Sequence, residues 1–123
     1  MADRIRLNLY ATVPDGRQEE IKGMVKELVA SARAEDPGTL SYEWFFTNED
    51  ETELQVLEVF ESSEAVLSYF ARAGDAEAAK RFVDACVVEK LEVCGDPTDE
   101  LREMLDATGM PISYQARLDG FTR

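Results

Sequence analysis

A carboxylate set among rings is the first place in this chain to look for chemistry. Gly38–Phe46 reads as a β-strand, and Glu53–Phe60 reads as its hairpin partner. The polar loop Asn48-Glu49-Asp50-Glu51 joins them. Period-two alternation puts Leu40, Tyr42, Trp44 and Phe46 on one face of the first strand. Leu54, Val56, Glu58 and Phe60 share one face of the second. The simplest register sets Leu40 opposite Phe60, Tyr42 opposite Glu58 and Trp44 opposite Val56; a one-residue slip would exchange the faces. Glu58 then lies in an aromatic and aliphatic row, where an unpaired charge is costly. Either the carboxyl group does acid–base work there, or it bonds Tyr42, a helix N-terminus or a backbone N–H and only organises the core.

The chain contains no histidine. Ser-His-Asp and Cys-His nucleophiles, His-ligated zinc and a proximal haem histidine are all excluded. Acid–base work falls to Asp, Glu, Tyr, Lys, Cys or water. The acidic runs Glu19-Glu20 and Glu49-Asp50-Glu51 lack metal-site spacing and read as solvated faces, so no metal is expected. No glycine-rich phosphate loop or dinucleotide fingerprint is present. Cys86 and Cys94 lie among apolar neighbours and read as buried, reduced thiols, since two cysteines make no disulfide framework.

Thirteen basic residues against 26 acidic ones give a formal net charge of −13. Nucleic acid and anionic membrane surfaces are disfavoured partners, and a neutral or weakly polar ligand fits better. No apolar run approaches the roughly 20 residues of a membrane helix. Met1-Ala2-Asp3-Arg4-Ile5-Arg6 has no signal-peptide layout, so the expected location is the cytoplasm. At 123 residues, 45% hydrophobic and 32% charged, the chain reads as one soluble domain over 1–123.

The elements that must position Glu58 follow from periodicity. Ile5, Leu7, Leu9, Ala11 and Val13 alternate with polar residues in a first strand, which Pro14-Asp15-Gly16 ends. A helix from about Arg17 to Ala34 carries Ile21, Met24, Val25, Leu28, Val29 and Ala32. After the hairpin, Ser62 or Ser63 caps a helix bearing Val66, Leu67, Tyr69 and Phe70. Gly74-Asp75 breaks it, and a further helix runs from about Ala76 to Ala85. Val87–Cys94 is a strand with Val87, Leu91 and Val93 on one face and Glu89 in the same row. Thr98 caps a short helix with Leu101, Met104 and Leu105, ended by Gly109. Pro111–Arg123 is expected to be irregular or extended. The order predicts an α+β, ferredoxin-like βαββαβ antiparallel sheet over 4–95, with helices on one face and a helical and extended tail over 96–123. The other face, with Asn8 and Tyr10, suits a symmetric partner sheet in a homodimer.

Gly38-Thr39-Leu40-Ser41-Tyr42-Glu43-Trp44 resembles the second strand of the antibiotic biosynthesis monooxygenase family. Glu58-Val59-Phe60 followed by Ser63-Glu64-Ala65 resembles that family's passage into its second helix. Gly95–Arg102 is similar to a C-terminal extension of some members. The resemblance implies a dimeric α+β barrel with a pocket between sheet and helices. It also implies a cofactor-independent monooxygenase that oxidises a quinol or other electron-rich aromatic with O₂. Many members carry a histidine where this chain has Tyr69. Haem-degrading relatives use a first-strand asparagine and a histidine ligand; the asparagine position falls near Leu9, and Asn8 points the other way. Under the resemblance Glu58 and Tyr69 are the catalytic candidates, and Tyr42, Trp44, Phe60 and Phe82 are the substrate-binding ones, with no cofactor required. The alternative is a non-catalytic small-molecule-binding or structural homodimer on the same fold.

Overall fold

Alternation along β1 (Ile5–Thr12) decides the layering: Ile5, Leu7 and Ala11 are buried while Arg6 and Thr12 are exposed. The computed structural model describes residues 4–74 and 77–123. Along the chain follow α1 (Gln18–Glu35), β2 (Thr39–Phe46), β3 (Glu53–Phe60), α2 (Ser63–Ala73), α3 (Glu77–Ala85), β4 (Val87–Cys94), α4 (Asp99–Asp106) and β5 (Ile112–Gln115). The sheet order is β2-β3-β1-β4-β5. The fold is therefore α+β and ferredoxin-like, as the sequence predicts. The described helices pack on the sheet face that carries Ile5, Leu7, Leu54, Phe60, Leu91 and Val93. No described helix is long and apolar enough to cross a membrane.

Local signals explain most boundaries. The Ser62 hydroxyl accepts from Ala65 N at 3.1 Å and caps α2, and Thr98 does the same for α4 through Leu101 N. Asn48 Oδ1 accepts from the N–H groups of Thr52 and Glu53 and closes the β2–β3 hairpin. The expected break at Asp75 and helix start at Ala76 lie outside the described residues. Cys86 and Cys94 are unpaired. The Cys86 thiol donates to the Phe82 carbonyl, and burial pushes its pKa up to about 11.

Three expectations are corrected. Tyr42 faces Glu58 and Trp44 faces Val56 as predicted, but Leu40 does not face Phe60; Thr39 does. The turn before β2 is pinned by Thr39 N to Asp36 O and by Glu61 N to Gly38 O. The ladder absorbs the extra residue as a bulge, which leaves Leu40 exposed. A second bulge lies where β1 meets β4, between Tyr10 and Ala11. It turns Val88 inward against Ala11 and leaves Val87 exposed, so Val87 is not a core residue. Glu89 goes to the outer side, where its carboxylate accepts from Thr12 Oγ1 at 2.9 Å. Finally, the sheet is mixed. Part of the tail forms β5, which pairs parallel to β4 with Leu91 against Ile112 and Val93 against Tyr114.

Candidate active site

Two apolar clusters share the helical face of the sheet. One joins Ile5, Leu7, Phe60, Val66 and Tyr69 to Leu101 and Leu105 of α4. The other joins Val13, Ile21, Met24, Leu28 and Leu54 to Phe82 of α3. Leu9 and Tyr42 pack against both. Between the clusters lies a cavity of about 420 Å³ with a mostly apolar lining. Glu58, Tyr42, Trp44, Tyr69 and Phe82 all line it.

The β2–β3 ladder sets Glu58 beside Tyr42, with both side chains on the helix side. Glu58 is 4% exposed, and no described residue hydrogen-bonds its carboxyl group. Burial alone pushes its pKa up to about 8. From α2, Tyr69 meets Tyr42 hydroxyl to hydroxyl at 2.8 Å. Burial first, and the Glu58 charge second, raise the pKa of both phenols. The hydroxyl pair therefore stays protonated and serves as a hydrogen-bond donor. Trp44 Nε1 is buried without a partner at hydrogen-bond distance among the described residues, yet lies close enough to Tyr42 to favour its anion. Edge-to-face contacts hold the rings: Tyr42 to Trp44 at 5.8 Å between centroids, and Trp44 to Phe82 at 5.1 Å.

A partly buried ion pair stands behind Tyr69. Asp36 follows the last residue of α1 and takes three contacts of 2.6 to 3.0 Å from the Arg72 guanidinium. The guanidinium carbon sits 6.0 Å from the Tyr69 ring centroid, where its charge lowers the pKa of both tyrosines against the larger effect of burial.

Phe60 is the exception among the predicted residues. It is fully buried and does not line the cavity; it packs behind Tyr69 with ring centroids 5.5 Å apart. Asn8 and Tyr10 lie on the other sheet face. There the Tyr10 hydroxyl donates to Glu92 and accepts from Gln55. Among the described residues, no cluster of three or more His, Cys, Asp or Glu side chains could hold a metal. Sequence reasoning did not assign Phe70, Ala73, Val88 or Met110 to the lining. Phe70 follows Tyr69, and Ala73 falls one helical turn beyond it, so helical spacing carries a signal for Ala73. The two consecutive valines before Glu89-Lys90 are the visible trace of the bulge that turns Val88 inward.

The sequence profile of antibiotic biosynthesis monooxygenases matches residues 4–85. The chain belongs to the antibiotic biosynthesis monooxygenase family. Solved structures agree at the level of the fold. MupZ from Pseudomonas fluorescens superposes with a TM-score of 0.81 over 100% of this chain and 96% of that one, at 18% identity. SnoaB from Streptomyces nogalater, a cofactor-independent oxygenase, gives 0.65 over 75% and 91%, at 17% identity. PA3566 from Pseudomonas aeruginosa gives 0.58 over 76% and 91%, at 21% identity. A search of curated protein sequences finds no match. The matched segment ends at Ala85, the last residue of α3, so β4, α4 and β5 lie beyond it. Met110 therefore reaches the cavity of this family member from outside the matched segment.

Proposed function

We propose that this protein is a cofactor-independent monooxygenase that oxidises a quinol or another electron-rich aromatic with O₂. The observation that carries the reading is Glu58: a buried carboxyl group with no hydrogen-bond partner among the described residues, opening into an apolar cavity beside two phenols and an indole. Family membership and the fold shared with SnoaB support it.

The ionised Glu58 takes the proton of a bound phenol, and its raised pKa brings it near that of the group it deprotonates. The Tyr42 and Tyr69 hydroxyls stabilise the aryloxide, and Trp44 and Phe82 hold its ring. The aryloxide passes one electron to O₂. Superoxide then joins a ring carbon, forming the C–O bond. Glu58 returns its proton to the peroxide, the O–O bond breaks, and the ring carbon loses its hydrogen as a proton. One oxygen atom remains as a carbonyl and the other leaves as water. The apolar walls around Trp44 and Phe82 limit the water beside the radical pair.

The test is O₂ uptake by the purified protein with a panel of quinols and anthrone-like phenols. Consumption that disappears in Glu58→Gln and falls in Tyr69→Phe supports the reading. Binding without consumption leaves the second reading, a non-catalytic small-molecule-binding dimer. That reading draws on the same carboxyl group, which is mostly neutral at pH 7 and can act as a hydrogen-bonding group alone.

The proposal includes a homodimer formed through the face of the sheet opposite the helices. Phe45, at 44% exposure, lies on that side, and Asn8 Oδ1 is buried there without a hydrogen-bond partner among the described residues. Light scattering should give twice 13.8 kDa. Cytoplasmic action fits the two free thiols.

A further inference from the structure

Two described residues of the cavity lining, Val88 and Met110, lie beyond the family segment, and Met110 comes from the tail that follows β4. After α4 the chain turns through Gly109, whose φ of +79° is in the left-handed region that favours glycine. Thr108 Oγ1 donates to Leu105 O at 2.6 Å and accepts from Met110 N at 3.2 Å. One residue later the Pro111 carbonyl accepts from Leu91 N at 2.8 Å, which begins the β4–β5 pairing. Leu101 and Leu105 are fully buried and anchor α4. The backbone at Met110 is thus fixed on both sides, while its side chain lines the cavity. Met110 packs with the α2–α4 cluster, whereas Trp44 and Phe82 pack with the α1–α3 cluster on the other side.

We propose that Met110 is a specificity-determining residue, a wall delivered by the C-terminal extension that sets how many fused rings an aromatic ligand can have. The inference rests on the reading of this cavity as the substrate site. An unbranched thioether fits the role: it fills an irregular gap, yields to ligands of different outline and makes favourable sulfur contacts at a ring edge. The aromatic and β-branched parts of the lining are less adaptable. Trp44, Tyr42 and Tyr69 are locked by ring contacts and a hydrogen bond, and Val56 and Val88 are β-branched strand residues.

Calorimetric titration with hydroquinone, 1-naphthol and anthrone gives one-, two- and three-ring affinities without requiring turnover. In Met110→Phe the three-ring affinity falls by roughly tenfold or more while hydroquinone stays within about twofold. Met110→Ala shifts the preference toward three rings, and Met110→Leu keeps the wild-type ranking while reporting on folding through its melting temperature. If all three affinities change by one common factor, or none changes, the proposal is overturned while the cavity reading stands. If the wild-type protein binds none of the three, both fall. Binding without O₂ uptake removes the monooxygenase reaction and leaves the role of Met110 intact.

Discussion

Glu58 stands directly across the β2–β3 ladder from Tyr42, and Tyr42 is hydrogen-bonded at 2.8 Å to Tyr69 of α2. Sheet register thus places a buried carboxyl group next to a hydroxyl pair that ties the sheet to a helix. A negative charge on Glu58 opposes ionisation of either phenol. The cluster therefore holds at most one negative charge, and when it does that charge belongs to Glu58.

Stability should record this. The Glu58 pKa is about 8 in the folded protein against 4.5 for an unburied carboxyl group. Below the lower value both states hold the proton, and the group has no effect. Between the two values only the folded state holds it, so each pH unit upward shifts the equilibrium toward unfolding by up to about tenfold. Above pH 8 the loss is complete. Urea unfolding at pH 5, 6, 7 and 8 should show wild-type stability falling more steeply than that of Glu58→Gln. Parallel curves would mean that Glu58 is hydrated.

Under the proposed mechanism activity carries the opposite sign, because Glu58 acts there as a base and must be ionised. The kcat/KM for a phenol whose own ionisation lies higher should rise with pH and level off above about pH 8. Glu58→Gln should lose roughly 10²- to 10⁴-fold and the pH dependence with it. A profile that is flat from pH 6 to 9 would assign the proton to another acceptor.

Tyr42→Phe and Tyr69→Phe each strand the other hydroxyl in an apolar setting. Each should cost about 1 to 2 kcal/mol. The double variant should cost less than the sum, with a coupling of at least about 0.5 kcal/mol. Strict additivity would place water between the two hydroxyls.

Much of this site was legible because a hairpin has few degrees of freedom. Alternation along 38–46 and 53–60, joined by a short polar loop, leaves little choice of partner for Glu58. Tyr69 and Phe82 entered the candidate site through the family resemblance, and helical spacing alone put them no further than an inward face. What failed depended on tertiary contacts. Phe60 shares the row of Glu58, but Tyr69 covers it, and a strand pattern cannot show which of its inward residues a helix covers. Leu40 and Val87 were misplaced because a bulge shifts alternation by one residue. Residues 112–115 form β5 through their pairing with β4, and a four-residue run after a proline has too little periodicity to announce a strand. Met110 lies in the irregular turn between α4 and that run, where no period marks an inward side.

The ion pair behind Tyr69 should matter more than surface pairs do. The Asp36 side chain is 6% exposed and that of Arg72 is 27%. Arg72→Met leaves the Asp36 carboxylate buried without its bidentate partner and should cost about 3 kcal/mol, at the low end for buried pairs because Arg72 is partly hydrated. Asp36→Asn should cost less, since the freed guanidinium can turn to solvent. By contrast, Lys22→Ala removes pairs to Glu19 and Glu51 that are more open to solvent than the Asp36 carboxylate and should move the urea midpoint far less. Urea midpoints rank the three, and equal costs would show that burial does not set the difference.

Gly38 supplies the last prediction, and its requirement is space. A Cβ there would lie 2.6 Å from the Ala65 Cβ in the first turn of α2. Both atoms are fixed to backbone, so neither can swing aside, and α2 would have to move. The Gly38 carbonyl accepts from Glu61 N at 2.9 Å just before that helix, so a shift would break the contact that seats it. Gly38→Ala should cost about 1 to 3 kcal/mol. Because α2 carries Tyr69, it should also weaken aromatic binding. Ala65→Gly removes the opposing methyl group at a cost in helix propensity of about 1 kcal/mol. If the clash is the cause, the Gly38→Ala/Ala65→Gly double variant will be more stable than the two single losses sum to, and ligand affinity will return with it. If the two losses simply add, the glycine is needed for something other than the approach of α2.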